Sequence, residues 1–206
     1  MKEFWLVRHG HKEEGGFHYN PEKKVQDPPL SKQGIKQAKR LAKNLGRVHF
    51  DAVYASDLIR TRQTAALLNR KIKQSITPEP ALREINFGVA EQLSWQELEE
   101  QYPDLFDKFF ILEKDLPYPE GETGADVVKR LHPFIASLLQ QDWQRCLLVT
   151  HGGIIRIWLC HILAMDQGKR FRLGDPPREC SVSIVRYYPE QERFALDLFN
   201  CTGGLH

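Results

Sequence analysis

The chain predicts an α/β fold built on a mostly parallel central sheet, and three observations carry that expectation. Short apolar or β-branched runs alternate with longer stretches of helical spacing, the pattern of strands crossed by helices. Residues 6–11 read LVRHGH and residues 147–153 read LLVTHGG, so two apolar runs each break at a histidine followed by glycine. Ligands of open parallel sheets bind outside the carboxyl ends of the strands, and two such strands side by side would turn both histidines into one crevice.

Taken in order, the first strand covers residues 3–8 and ends at Arg8-His9-Gly10, an always-charged guanidinium beside an imidazole at the mouth of a turn. Residues 11–27 (HKEEGGFHYNPEKKVQD) form a long polar insert, and loops of that length are often functional; we expect it to wall one side of the site. A helix opens at Ser31, whose hydroxyl can cap its orphan amides. It carries Ile35, Ala38, Leu41, Ala42 and Leu45 at helical intervals and stops at Gly46. Its basic face of Lys32, Lys36, Lys39, Arg40 and Lys43 reads as solvated.

A strand over 52–55 is followed by a helix over 57–70, with Ser56 or Asp57 placed to cap it and Arg60 in its first turn. Next come a strand over 74–77 and helices over 94–101 and 104–112, within a segment 95–119 whose aromatics Tyr102, Phe106, Phe109, Phe110 and Tyr118 predict an opposite, lid-like wall. A helix over 124–141, a strand over 146–150 and a helix over 152–164 complete the alternation. Strands over 181–188 and 194–200, joined by a polar PEQER turn, read as a hairpin-style pair that makes the sheet mixed.

Composition narrows the function classes. At 206 residues, with no linker or composition shift, the chain fits one domain over 1–206, and its closing segment reads as a complete end to it. It is 41% hydrophobic and 27% charged with a formal net charge of +2, which makes no case for nucleic acid. No apolar run reaches the roughly 20 residues of a membrane span, and the start has no leader-like apolar region. Cys146, Cys160, Cys180 and Cys201 form no CxxC pair, so they read as reduced buried thiols of a cytoplasmic protein rather than as a zinc site or a disulfide frame.

Six ordered blocks resemble one known family: LVRHG at 6–10, PLSKQGIKQA at 29–38, YASDLIRTRQTA at 54–65, LREINFG at 82–88, PEGET at 119–123 and LLVTHGGIIR at 147–156. Together they span almost the whole chain and are similar to the histidine phosphatase superfamily, the phosphoglycerate-mutase-like fold. That resemblance implies a three-layer α/β/α sandwich. Its small-phosphatase branch, which includes broad-specificity and α-ribazole-phosphate phosphatases, is the part the blocks look most like.

The residues fit that chemistry. A phosphoryl group presents anionic oxygens, and its transfer is accelerated by positioning and charge. No DxD or HExxH spacing offers a metal to supply the charge, so none is expected, nor any cofactor. Arg8 and Arg60 can each donate bidentate hydrogen bonds to phosphate, with His151 as a third phosphate-binding contact. His9 is the expected nucleophile, which requires one ring nitrogen to donate to a fixed acceptor such as a backbone carbonyl in the turn near Gly10, while the other attacks phosphorus.

Arg62 competes with Arg60, but a helix turns about 100° per residue and only one of them can reach the pocket. The family motif aligns with Arg60, leaving Arg62 to an ion pair or the rim. The resemblance also implies Glu84 as the catalytic acid that protonates the leaving oxygen and then activates water. The position after His151, an aspartate in the phytase branch, is Gly152 here, in line with that assignment.

Family members often read RHGxTxxN; here Lys12 and Gly15 stand at those two places, which leaves Asn20 or another residue of the insert to replace them. His11 and His18 read as surface residues. The expected function is metal-independent hydrolysis of a small phosphorylated metabolite through a phosphohistidine. A phosphoglycerate mutase of the same chemistry and a catalytically silent phospho-ligand binder are the alternatives. Mutases are generally longer, and the five core residues weigh against silence. No oligomeric state follows from the sequence.

Overall fold

The computed structural model describes residues 1–15, 17–104 and 114–203. Strands β1 (Lys2–Arg8), β4 (Ala52–Ala55), β5 (Ile76–Pro78), β6 (Arg145–Thr150), β7 (Val182–Tyr188) and β8 (Arg193–Cys201) form a six-stranded sheet of order β5-β4-β6-β1-β7-β8. The first four named run parallel, and β7 and β8 are antiparallel at one edge, so the sheet is mixed as the hairpin pattern predicts.

Helices α1 (Lys32–Leu45) and α2 (Ile59–Ile72) cover one face, and α4 (Gly124–Leu139) and α5 (Gly152–Ile162) the other. The short α3 (Trp95–Gln101) lies beyond the sheet's carboxyl edge, against the cavity described below. Two cores result, and the period of the strands divides them: Phe4 and Leu6 pack with α4 and α5, Trp5 and Val7 with α1 and α2. In β6, Cys146 and Leu148 join the first core and Leu147 and Val149 the second. Continuous burial on both faces is why these strands read as unbroken apolar runs rather than as alternation.

Several boundaries differ from expectation, each for a local reason. β5 covers Ile76–Pro78 instead of 74–77, because Lys73 in the left-handed region closes α2 and Asn69 Oδ1 takes the Gln74 amide at 2.9 Å. Proline is tolerated there because β5 is an edge strand. The helix expected over 124–141 ends at Leu139, and its start is fixed by a Thr123/Asp126 capping box. The helix expected over 152–164 closes at Ile162, with Ala164 in the left-handed region. The polar insert is not all loop: Tyr19–Asn20 (β2) and Val25–Gln26 (β3) pair as a small antiparallel ladder.

Ile35, expected on the buried face of α1, is exposed, and Gly34 is buried in its stead. A Cβ at Gly34 would lie 2.1 Å from the His11 carbonyl oxygen, so the helix and the turn after β1 cross backbone to backbone. The basic face of α1 is exposed, as its solvated reading requires. Cys146, Cys160 and Cys180 are buried free thiols, but Cys201 is only partly buried, because it ends the edge strand β8. The helix expected over 104–112, with Phe106, Phe109 and Phe110, lies outside the described residues apart from Asp104. No helix among the described residues is long and apolar enough to cross a membrane.

Candidate active site

The order β4-β6-β1 brings three carboxyl ends side by side. Register does the rest: Arg8 pairs with Thr150, and the His9 amide donates to the Thr150 carbonyl at 2.9 Å, so His9 and His151 leave the sheet together. Their rings lie 5.1 Å apart at 62°.

His9 is 4% exposed and held from both sides. Its Nδ1 lies 2.7 Å from the Gly10 carbonyl oxygen, an acceptor only, so Nδ1 carries the proton. Arg60 Nε donates to His9 Nε2 at 3.3 Å, which requires a lone pair on Nε2. Burial, and then the Arg60 guanidinium, push the imidazole pKa well below its usual range. A buried, neutral histidine with one defined lone pair is the form a nucleophile needs.

Arg60 sits in the first turn of α2 and is 6% exposed. Neither Ser56 nor Asp57 caps this helix, contrary to expectation. The cap comes from the insert: buried Asp27 accepts the Ile59 amide at 2.7 Å and lies 3.9 Å from Arg60 Nη1. Asp57 instead holds Arg83 in a bidentate pair at 2.7 and 2.6 Å, and Arg83 in turn lowers the Asp57 pKa. Arg62 points to solvent, and among the described residues it has no ion pair and no place in the cavity wall, so both expected roles for it fail.

Arg8 reaches the Pro177 carbonyl at 2.5 Å through Nη1 and Glu179 at 3.5 Å through Nη2, and its buried Nε has no partner among the described residues. Glu84 stands opposite, accepting the Ile85 amide at 3.0 Å and the Gly153 amide at 3.3 Å. A Cβ at Gly153 would sit 2.4 Å from Glu84 Oε1, so glycine is what lets α5 approach this carboxylate. Arg130 pins the loop beneath it, donating to the Ala81, Arg83 and Glu84 carbonyls and to the carboxylate of Glu122.

His151, the expected third phosphate contact, does not itself line the cavity. It is fully buried behind His9 with its Nε2 3.0 Å from Ser56 Oγ. Its Nδ1 has no partner among the described residues, and burial followed by Arg60 lowers its pKa well below the usual value.

Above these groups lies a cavity of about 380 Å³. Lys12, Val25 and Gln26 of the insert line it, as expected of that wall; of the segment 95–119 only Leu98 and Tyr118 do so among the described residues, with Leu93 and Ser94 just before it. Asn20 is spent on the Glu22 and Lys23 amides, and Gly15 is exposed at φ +78°; neither lines the cavity. Lys12 does, and desolvation of its ammonium, followed by the Arg60 charge, lowers its pKa.

Glu91 was not singled out from the sequence. It lines the cavity, accepts the Gln26 amide at 2.8 Å and has its carboxyl pKa raised by burial. In AEQL it looks like any solvated glutamate, and no local pattern marks it. Asp27, Ser56 and Arg130 were likewise not read as site residues, since each acts across a long sequence separation. His11 bonds to Ser31 and Glu14 at the surface, and His18 lies outside the cavity. Among the described residues, no three His, Cys, Asp or Glu side chains converge as metal ligands.

Known proteins resemble this chain in sequence and in architecture. The family model for the histidine phosphatase superfamily (branch 1) matches residues 4–202. A probable phosphoglycerate mutase GpmB of Escherichia fergusonii is 34% identical over 200 residues, covering 93% of this chain and 87% of that protein. Phosphoserine phosphatase 1 of Hydrogenobacter thermophilus is 32% identical over 178 residues, covering 84% and 82%. The solved structure of YhfR from Bacillus stearothermophilus superposes with a TM-score of 0.84 at 24% identity over 100% of both chains. A mycobacterial glucosyl-3-phosphoglycerate phosphatase complexed with inorganic phosphate does so at 0.83 and 23% over 98% of each, and these two likenesses show the fold. By the match over nearly its whole length, the chain belongs to branch 1 of the histidine phosphatase superfamily.

Proposed function

We propose that the chain, as one catalytic domain over 1–206, hydrolyses a small phosphate monoester without a metal, through a phosphohistidine on His9. The observation that carries this is the fixed tautomer: Nδ1–H on the Gly10 carbonyl and a lone pair at Nε2 beside Arg60. The phosphoryl group sits between Arg8 and Arg60, which balance its charge as it transfers. Nε2 attacks phosphorus while the bond to the ester oxygen breaks, and Glu84 gives that oxygen a proton. The Glu84 carboxylate then takes a proton from water as the water attacks the phosphohistidine, releasing inorganic phosphate and restoring His9. His151 contacts the phosphate by exchanging its Ser56 partner for a phosphate oxygen. Free cysteines without a pairing pattern suit a reducing compartment, and we place the protein in the cytoplasm.

The test is trapping. Brief mixing with a labelled phosphate ester should leave acid-labile phosphate on the wild type and none on His9→Ala. Activity should survive a chelator and be inhibited by vanadate. Activity lost to chelator and restored by magnesium, or retained in full by His9→Ala, refutes the scheme. Glu84→Gln should lose far more activity on an alkyl phosphate than on p-nitrophenyl phosphate, whose leaving group needs no proton. The relatives named as probable phosphoglycerate mutases support a second reading, transfer back to a substrate. Release of inorganic phosphate from 3-phosphoglycerate, with no 2-phosphoglycerate formed in the presence of 2,3-bisphosphoglycerate, decides for hydrolysis.

A further inference from the structure

A second cavity of about 220 Å³ adjoins the first and shares Arg8, Glu84, Phe87 and Tyr118 with it as a common wall. Its far side is cationic. Arg156, on α5, is 8% exposed, and Arg170 is 6% exposed. Phe171 lies between them, its ring centre 5.4 Å from the Arg156 guanidinium and 4.7 Å from that of Arg170.

The two arginines differ in how their charge is met. Arg170 is paired with Asp115 at 2.8 Å and donates to the Gln167 carbonyl at 2.7 Å. Arg156 donates from Nη2 to the Gly174 carbonyl and its buried Nε has no partner; among the described residues no carboxylate lies within ion-pair distance of it, and Asp175 acts on it only at longer range. A guanidinium taken out of water with no anion in direct contact is costly, and a charged group left in that condition beside a cavity marks a place for one. None of this is needed to hold the transferring phosphate, which Arg8 and Arg60 meet on the His9 side.

We infer that this second cavity is an anion subsite, in which Arg156 with Arg170 receives a carboxylate or second phosphate carried by the leaving group of the substrate. The inference rests on the phosphomonoesterase reading. It makes the preferred substrates doubly anionic, with the scissile phosphate at His9 and the second anion beyond Glu84. Because the cavities adjoin at Arg8, Glu84, Phe87 and Tyr118, a substrate that reaches Arg156 from His9 must carry its second anion past the Glu84 carboxylate.

Matched substrate pairs test this, because both members carry the same phosphoryl chemistry: 3-phosphoglycerate against glycerol 3-phosphate, and fructose 1,6-bisphosphate against fructose 6-phosphate. For at least one pair the wild type should show a kcat/KM ratio of about ten or more in favour of the doubly anionic member. Arg156→Gln should bring that ratio to near one, chiefly through the KM of the doubly anionic member. Arg156→Lys, which keeps a cation, should retain part of the preference and serves where the glutamine variant does not fold. A wild-type ratio near one in every pair, or a ratio that neither variant changes, overturns the subsite while leaving the phosphatase reading intact. Absence of hydrolysis of either member, and of p-nitrophenyl phosphate, takes down both.

Discussion

At the scale of single residues, the chemistry depends on His9 staying neutral in the company of two arginines. Its pKa is depressed by burial and by Arg60, so protonation is deferred to lower pH than for a free imidazole near 6.5. Once the second ionisation of the substrate, near pH 6, is divided out, the acid limb of kcat/KM should therefore fall clearly below about pH 6.5. A limb at or above that value would mean that the nucleophile is not held as described. Arg60→Ala removes one donor to the transferring phosphoryl group, and losing a donor of this type costs about 10²- to 10³-fold in kcat. The same change relieves the Coulombic pressure on His9 and should move the limb upward. A purely structural loss would lower the rate without moving it.

At the scale of elements, two contacts hold the site together, and each has a separable effect. Gly153→Ala puts a methyl group against a side-chain carboxylate rather than against backbone, at 2.4 Å from Glu84 Oε1. The carboxylate must swing away, so hydrolysis of alkyl phosphates should fall at least ten-fold while the thermal midpoint changes little. Asp27→Ala acts from the other side. It removes the cap on Ile59, worth about 1 kcal/mol, and leaves Lys23 Nζ, 3.3 Å from Asp27 Oδ2, without that anion. Both stability and kcat/KM should drop, measured by denaturant midpoint and steady-state rates. These elements also show what the sequence made legible. Strands β1 and β6 could be read because apolar runs ending in His-Gly are local signals, and the helix after Ser31 because cap, spacing and stop lie within one window. The cap of α2 could not, because Asp27 and Ile59 meet only after the insert has folded over the helix. The β2–β3 ladder was hidden for a related reason: two-residue strands in a polar stretch carry no period, and Gln26 of β3 is bonded to Glu91, 65 positions away.

At the scale of the whole molecule, the site and the stability of the fold are linked through protons. His9 and His151 both have pKa values well below the unfolded value of about 6.5, mainly because the sheet and helices bury them. The unfolded chain therefore binds protons that the native state refuses, and stability falls as pH drops below about 6.5, by up to about 1.4 kcal/mol per pH unit for each histidine. Paired carboxylates such as Asp57 with Arg83 have depressed pKa values, and their contribution is lost only at more acidic pH, below the usual carboxylate value of about 4. The window between is set by the two histidines, offset in part by Glu91, whose raised pKa lets the native state hold a proton that the unfolded chain has released. Thermal or urea midpoints from pH 7 to pH 5 should decline steeply in the wild type, and His9→Gln should remove about one proton from the slope; an unchanged slope would show that His9 is not the group refusing the proton. Sulfate, a dianion throughout this range, should counter the wild-type decline by occupying the space between Arg8 and Arg60 and favouring protonated His9. Sulfate also stabilises proteins by exclusion from their surfaces, and the part of its effect that survives in His9→Gln measures that contribution. A sulfate gain that grows toward acid pH in the wild type and stays flat in the variant joins the nucleophile, the anion and the fold in one equilibrium.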